Sequence, residues 1–286
     1  MSIKKYKNTI IQGDCFGAMQ ALENESVDLV VTSPPYDGLR NYNGYSFNFE
    51  GIVQELFRVV KNGGVVVWVI GDATVDGSET GTSFKQALFF KETGFNLHDT
   101  MIFRKRNPIP QIYRKRYNNE FEFMFVFSKG LTKVHNPIMI DCLHAGLELN
   151  GTTYKNYSKD VQIRKKMAKP VKDKKIKGNV WEYVVGKNKE DQPAKEHPAP
   201  FPLKLAEDHV LSWTNKGDLV LDPMCGSGTT CVAAKKLGRD YIGIDISKEY
   251  CELAKKRING IPIDLFSTHL AKGPDFVREG QPVGER

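Results

Sequence analysis

Four consecutive residues, Ser33, Pro34, Pro35 and Tyr36, follow the apolar run Asp28-Leu-Val-Val-Thr32. Two prolines fix φ and carry no N–H, so the carbonyls of this turn point outward and accept hydrogen bonds from another molecule. A bound amino group suits such acceptors. Pro-Pro-Tyr alone also serves as a rigid turn with Tyr36 packed inward, so the weight falls on the Ser and the strand ahead of it. A second group lies in Gly217-Asp-Leu-Val-Leu-Asp-Pro-Met-Cys-Gly-Ser-Gly-Thr-Thr230. There Gly226 and Gly228 let the backbone approach a ligand where side chains would not fit. About 20 residues further on, Tyr241-Ile-Gly-Ile-Asp245 ends a second apolar run in a carboxylate suited to ribose hydroxyls. Dinucleotide enzymes share that arrangement. A nicotinamide oxidoreductase is therefore an alternative, weakened because the third glycine of G-x-G-x-x-G is missing.

Both groups need strands to end where the chemistry begins. Short β-branched runs predict strands at Thr9–Gln12, Asp28–Thr32, Gly64–Ile70, Asp99–Arg104, Phe121–Phe127, Asp218–Leu221 and Tyr241–Gly243, with helical periodicity between them, including Cys231–Leu237. This alternation predicts an α/β fold with a doubly wound, mostly parallel sheet covered by helices on both faces. Ligands of such sheets sit at the carboxyl ends of the strands. The chain's 286 residues suffice for one such domain carrying an insertion.

The residues quoted above resemble DNA amino-methyltransferases. Ser33-Pro-Pro-Tyr36 is similar to that family's catalytic motif, and Asp222-Pro-Met-Cys-Gly-Ser-Gly-Thr-Thr230 to its S-adenosylmethionine loop, with Met224 in place of the usual Phe. Ile11-Gln-Gly-Asp-Cys15 resembles the strand whose acid meets the cofactor adenine. Lys61-Asn-Gly-Gly-Val-Val-Val-Trp68 and Glu120-Phe-Glu-Phe-Met-Phe-Val-Phe-Ser-Lys-Gly130 resemble the strand after the catalytic motif and the one reversed strand of the family's Rossmann-like sheet. His197-Pro-Ala-Pro-Phe-Pro202 resembles a loop that closes over the methionine end of the cofactor, with Pro200 and Phe201 where polar and Lys positions are usual. The order, catalytic turn first and cofactor loop last, is that of the β class.

The resemblance implies S-adenosylmethionine as cofactor, held by Asp14, Asp222, Pro223, Gly226, Ser227, Gly228, Thr229, Thr230 and Asp245, with His197 and Pro198 from the closing loop. It implies that Ser33 to Tyr36 receive a base flipped out of double-stranded DNA. Ser before Pro-Pro-Tyr goes more often with N4 of cytosine, and N6 of adenine is the alternative. RNA or protein N-methylation and a catalytically idle DNA-binding protein are remote readings.

From His135 to Gln192 the apolar runs thin out, and Lys155 to Lys177 holds ten Lys or Arg against two Asp. We expect 1–134 to be the catalytic part of the fold, 135–192 a basic inserted target-recognition region, 193–262 the cofactor part and 263–286 a tail. Lys155, Arg164, Lys165, Lys166, Lys174 and Lys175 are the candidate DNA contacts of the inserted region, with Tyr154, Tyr157, Trp181 and Tyr183 as interleaved aromatics. A solvated loop is the bland alternative. The net charge of +7 accords with a polyanionic partner. Five scattered cysteines show no metal-ligand spacing and read as reduced thiols, and isolated histidines such as His135, His144 and His209 as structural or surface groups. With no signal-like or membrane-length apolar run, a cytoplasmic protein is expected. A cognate restriction endonuclease and a homodimer stay open as partners.

Overall fold

The computed structural model describes residues 3–35, 47–108, 110, 115–146, 153–158, 161–166, 172–186 and 202–261, with backbone only for 153–158 and 161–166. In chain order the strands are β1 (Thr9–Gln12), β2 (Val27–Thr32), β3 (Val60–Ile70), a short hairpin β4 (Thr74–Val75) and β5 (Ser78–Glu79), β6 (Asn96–Lys105), β7 (Phe121–Ser128), β8 (Met139–Asp141), β9 (Thr153–Ser158), β10 (Val161–Lys166), β11 (Lys174–Ile176), β12 (Val180–Tyr183), β13 (Leu219–Asp222) and β14 (Asp240–Asp245). The helices are α1 (Cys15–Gln20), α2 (Phe49–Val59), α3 (Thr82–Thr93), α4 (Leu203–Trp213), α5 (Thr229–Lys236) and α6 (Lys248–Asn259).

Eight strands form one sheet in the order β1-β14-β13-β2-β3-β7-β6-β12. Neighbours run parallel except at β7, which is antiparallel to both β3 and β6 and so is the one reversed strand. The continuous valine run of β3 reflects burial on both faces, as parallel sheets require. Its Val65, Val67 and Val69 pack toward Leu205, Val210 and Trp213 of α4, with α5 and α6 beyond. Its Val66, Trp68 and Ile70 face Ile52 and Leu56 of α2 and Phe90 of α3. Polar groups in these layers are paired: the Trp68 Nε1–H donates to Gln86 Oε1 at 2.7 Å. His209, fully buried, receives the Trp213 indole N–H on Nδ1 at 3.3 Å and stacks on Trp181, so it is structural as expected.

All seven strands read from the sequence exist, each within four residues of its expected bounds. Strand β12 was not foreseen. It lies inside the stretch expected as insertion, yet it pairs parallel with β6, Val180 beside Ile102 through Tyr183 beside Lys105. Trp181 and Tyr183, expected as rings for stacking on bases, are 5% and 6% exposed and belong to the core. The tyrosine hydroxyl donates to Asp208 Oδ2 at 2.8 Å. The alternation of strand residues turns Val180 and Glu182 outward and the two aromatic rings inward. Two antiparallel pairs, β8 with β11 and β9 with β10, stand outside the main sheet.

Candidate active site

From β13 the chain crosses through α5 to β14 on one side, and from β2 through α2 to β3 on the other. The sheet order therefore reverses between β13 and β2, and the crevice outside their carboxyl ends is where open α/β sheets bind ligands. The Ser33–Pro35 turn leaves β2 there, and the Gly226–Gly228 loop leaves β13 beside it.

The loop is held in one shape from beneath. Gly226 and Gly228 have φ of 50° and 80°, left-handed values that favour glycine. A Cβ at Gly228 would lie 2.7 Å from the Ala254 Cβ, so α6 packs directly under the turn. From the same helix Arg257, buried, donates to the Ser227 carbonyl at 2.6 Å, to Ser227 Oγ at 2.9 Å and to Thr229 Oγ1 at 3.2 Å. Met224 packs as a half-buried apolar side chain against the α1–α3 layer. Thus the side chains of Ser227 and Thr229 are engaged within the protein, and the loop offers a ligand chiefly its backbone.

Two carboxylates border the loop. Asp245, at the end of β14, accepts the Gly226 N–H on Oδ2 at 2.8 Å and the Ser247 N–H on Oδ1 at 2.9 Å. Burial raises its pKa from the usual carboxylate value, and these two amides oppose the rise. Asp14 follows β1, whose Gln12 lies beside Asp245. Its Oδ2 caps α1 through the Gly17 N–H at 2.8 Å, and the residue is exposed. The position of a Cβ on the adjacent Gly13 meets no atom within 4 Å, so this end of the rim has open space. Two acceptors at neighbouring strand ends, with a close-approach backbone loop between β13 and α5, fit a nucleoside carrying a charged sulfonium.

Asp222 sits lower, 1% exposed. Burial, the dominant cause, and nearby Asp245 push its pKa up to about 6, against the hydrogen bonds of Thr32, Thr230 and the Met224 amide. The cysteines of this region are held as thiols: burial first, then Asp14, pushes Cys15 up to about 12, burial and Asp245 push Cys251 up to about 11, and Cys225 is raised by its hydrogen bond with Cys231 and by burial. None of these three is a thiolate nucleophile at neutral pH.

Pro34 is buried, with Ser33 and Pro35 half-buried beside it. Tyr36, His197 and Pro198 lie outside the described residues. Beyond β3 on the same rim opens a cleft of about 880 Å³, lined among others by Asp72, Lys115, Arg116, Tyr117, Asn118 and Phe121. Of the expected DNA contacts, Lys155, Arg164, Lys165 and Lys166 fall on β9 and β10, and their side chains are outside the described part. Lys174 and Lys175 are exposed on β11, with Lys174 donating to Asp141 at 2.8 Å. Arg257 and Thr32 were not singled out from the sequence. Arg257 lies about 30 residues from the loop it supports, and only the helical spacing of Ala254, Arg257 and Ile258 hints at a shared inward face.

The family model described as DNA methylase, for N6 and N4 methyltransferases, matches residues 27–256. The chain is 52% identical over 237 residues to the orphan methyltransferase M.BamHII of Bacillus amyloliquefaciens, covering 82% of this chain and 89% of that protein. It is 30% identical to the type II methyltransferase M.SmaI of Serratia marcescens, over 87% and 90% of the two chains. Among solved structures it is similar to the M1.HpyAVI complex with S-adenosylmethionine, with a TM-score of 0.59, 26% identity and coverage of 88% and 98%. The PvuII cytosine-N4-specific DNA methyltransferase shares the fold at a TM-score of 0.64 and 21% identity, over 88% and 87%.

Proposed function

Because the chain belongs to the DNA methylase family of N6 and N4 methyltransferases, we propose that it methylates the N4 amine of a cytosine flipped out of double-stranded DNA, with S-adenosylmethionine as donor. What supports this most is the meeting of the Ser33–Pro35 turn and the Gly226–Gly228 loop at the point where the sheet order reverses. When bound, the cofactor supplies a methyl group already activated on a sulfonium. Backbone of the loop, with Asp245 at the ribose and Asp14 at the adenine, would hold it, and the family resemblance adds His197 and Pro198 as contacts to its other end.

The nucleophile is the harder problem, since the exocyclic lone pair is delocalised into the base ring. Ser33 Oγ and the Pro34 carbonyl accept the amine protons, draw the nitrogen toward tetrahedral geometry and aim its lone pair. Tyr36 stacks on the base. The new N–C bond would form as the methyl–sulfur bond of the donor breaks, leaving a neutral thioether, and one amine proton would pass to bulk water. Positioning and fixed dipoles supply most of the rate, because no side chain forms a covalent intermediate. Ser33 ahead of Pro-Pro-Tyr favours cytosine over adenine. The cleft beyond β3 gives the unpaired strand room, and lysines of the inserted region meet phosphates.

Incubation with mixed-sequence duplex and methyl-labelled cofactor, then nucleoside mass spectrometry, tests the reading. Labelled N4-methylcytidine supports it in full, and N6-methyladenine keeps the mechanism but reverses the base. Tyr36→Ala is expected to lose most turnover, at least a hundredfold, while cofactor binding by calorimetry survives. A folded variant that methylates at near-normal rates would remove Tyr36 from the site.

A further inference from the structure

We infer that Thr32 is a positioning residue for methyl transfer, tying the Ser33–Pro35 turn to the cofactor loop through the side chain of Asp222. The inference rests on the methyltransferase reading above. Its ground is a gap in the backbone pairing. Between β13 and β2 the parallel register runs only through Val220 with Leu29 and Leu221 with Val30. On the other side of β2, pairing with β3 continues to Thr32 beside Trp68. The two strands that carry the two halves of the site thus have no ladder between them where those halves begin.

Side chains close this gap at two successive residues. Thr230, the second residue of α5, donates from Oγ1 to the Val31 carbonyl at 3.0 Å. Thr32 donates from Oγ1 to Asp222 Oδ1 at 2.7 Å. The same Asp222 oxygen receives the Met224 N–H of the cofactor loop at 3.2 Å. A continuous path therefore runs from loop backbone through Asp222 and Thr32 to Ser33. Thr32 and Thr230 are fully buried, so water does not substitute for either bond.

This reassigns two residues whose motif suggests cofactor contact. Asp222 Oδ1 and Thr230 Oγ1 each bond to β2, and set how far the amine acceptors stand from the donor loop. Displacement of a reacting group by about 1 Å costs on the order of a hundredfold in rate, so loss of the tie should appear in turnover rather than in binding.

The test compares Thr32→Val, which keeps the shape and removes the donor, with Thr32→Ser, which keeps the donor, using the DNA duplex that wild type methylates. For Thr32→Val we expect kcat to fall about thirtyfold or more, with cofactor and DNA dissociation constants within about twofold of wild type. Thr32→Ser should recover kcat to within about threefold. Equal turnover by Thr32→Val and wild type overturns the inference, and so does equal loss in both variants, which would mean that any change to the packing of this buried side chain, and not loss of the hydroxyl bond in particular, lowers turnover. Should Thr32→Val fail to fold, Thr230→Val removes the neighbouring tie and must show the same split. Absence of methyl transfer by wild type is a separate outcome, which defeats the methyltransferase reading itself.

Discussion

The rim between β13 and β2 and the β8–β11 pair treat polar side chains in opposite ways. At the rim, Thr32, Asp222, Ser227, Thr229, Thr230 and Arg257 are all buried and hydrogen-bonded to one another or to backbone. In the β8–β11 pair every residue of β11 is exposed, and Lys174 meets Asp141 with both side chains largely in solvent, 60% and 85% exposed. Bonds in the first region are shielded from water, and losing one partner leaves the other buried and unsatisfied, at about 1–3 kcal/mol. Solvent screens the second, where an ion pair contributes little. The first region therefore fixes the relative position of the turns that follow β2 and β13. Side chains of the second can change without disturbing the fold.

The comparison is broken most severely by Gly228→Ala. Its Cβ would press on Ala254 in a backbone region that disfavours side chains, costing about 3 kcal/mol from strain and overpacking together. Melting temperature should fall by several degrees and cofactor affinity at least tenfold. An unchanged cofactor dissociation constant would show that the loop's shape is not what holds the ligand.

A subtler variant is Asp222→Asn. Folding raises the Asp222 pKa from 3.8 to about 6, so the folded state keeps the proton more tightly. Its contribution to stability is complete below pH 3.8 and is lost as pH rises toward 6. Asparagine retains an acceptor for Thr32 and has no such loss. Its stability relative to wild type should therefore climb between about pH 4 and pH 6, by at most about 3 kcal/mol, and stay level above. His209, held neutral with its pKa pushed down to about 3 by burial and then by Lys177, works in the opposite sense. It is common to both proteins and cancels in the difference. A flat difference across that window would mean that the carboxylate is better solvated than its burial implies.

The smallest effect on the fold is expected from the basic run. Changing Lys165, Lys166, Lys174 and Lys175 together to Gln should leave the melting temperature and cofactor binding unchanged. It should flatten the salt dependence of DNA binding, by about 0.9 in log–log slope for each phosphate that is no longer neutralised. An unaltered slope would return the basic run to the status of a solvated surface.

Much of this was open to reading from the chain alone, because strands such as Thr9–Gln12 and Phe121–Ser128 and the turns that end them are local. Periodicity, prolines and glycines act over a few residues, so seven strands of the main sheet, the α/β class, the reversed strand by family resemblance and the turns that follow β2 and β13 were legible. Strand β12 was not, since four residues with two aromatic rings beside a basic run look alike in a loop and at a sheet edge. Only pairing with β6 separates the two, and it buried the rings that composition had suggested for DNA. Nor could sequence reveal the tie between Thr32 and Asp222, which stand 190 residues apart. Residue types and short spacings determined which groups this protein brings to its chemistry. The order of strands in the sheet decided which of them meet, because hydrogen bonds between distant segments exist only once those segments lie side by side.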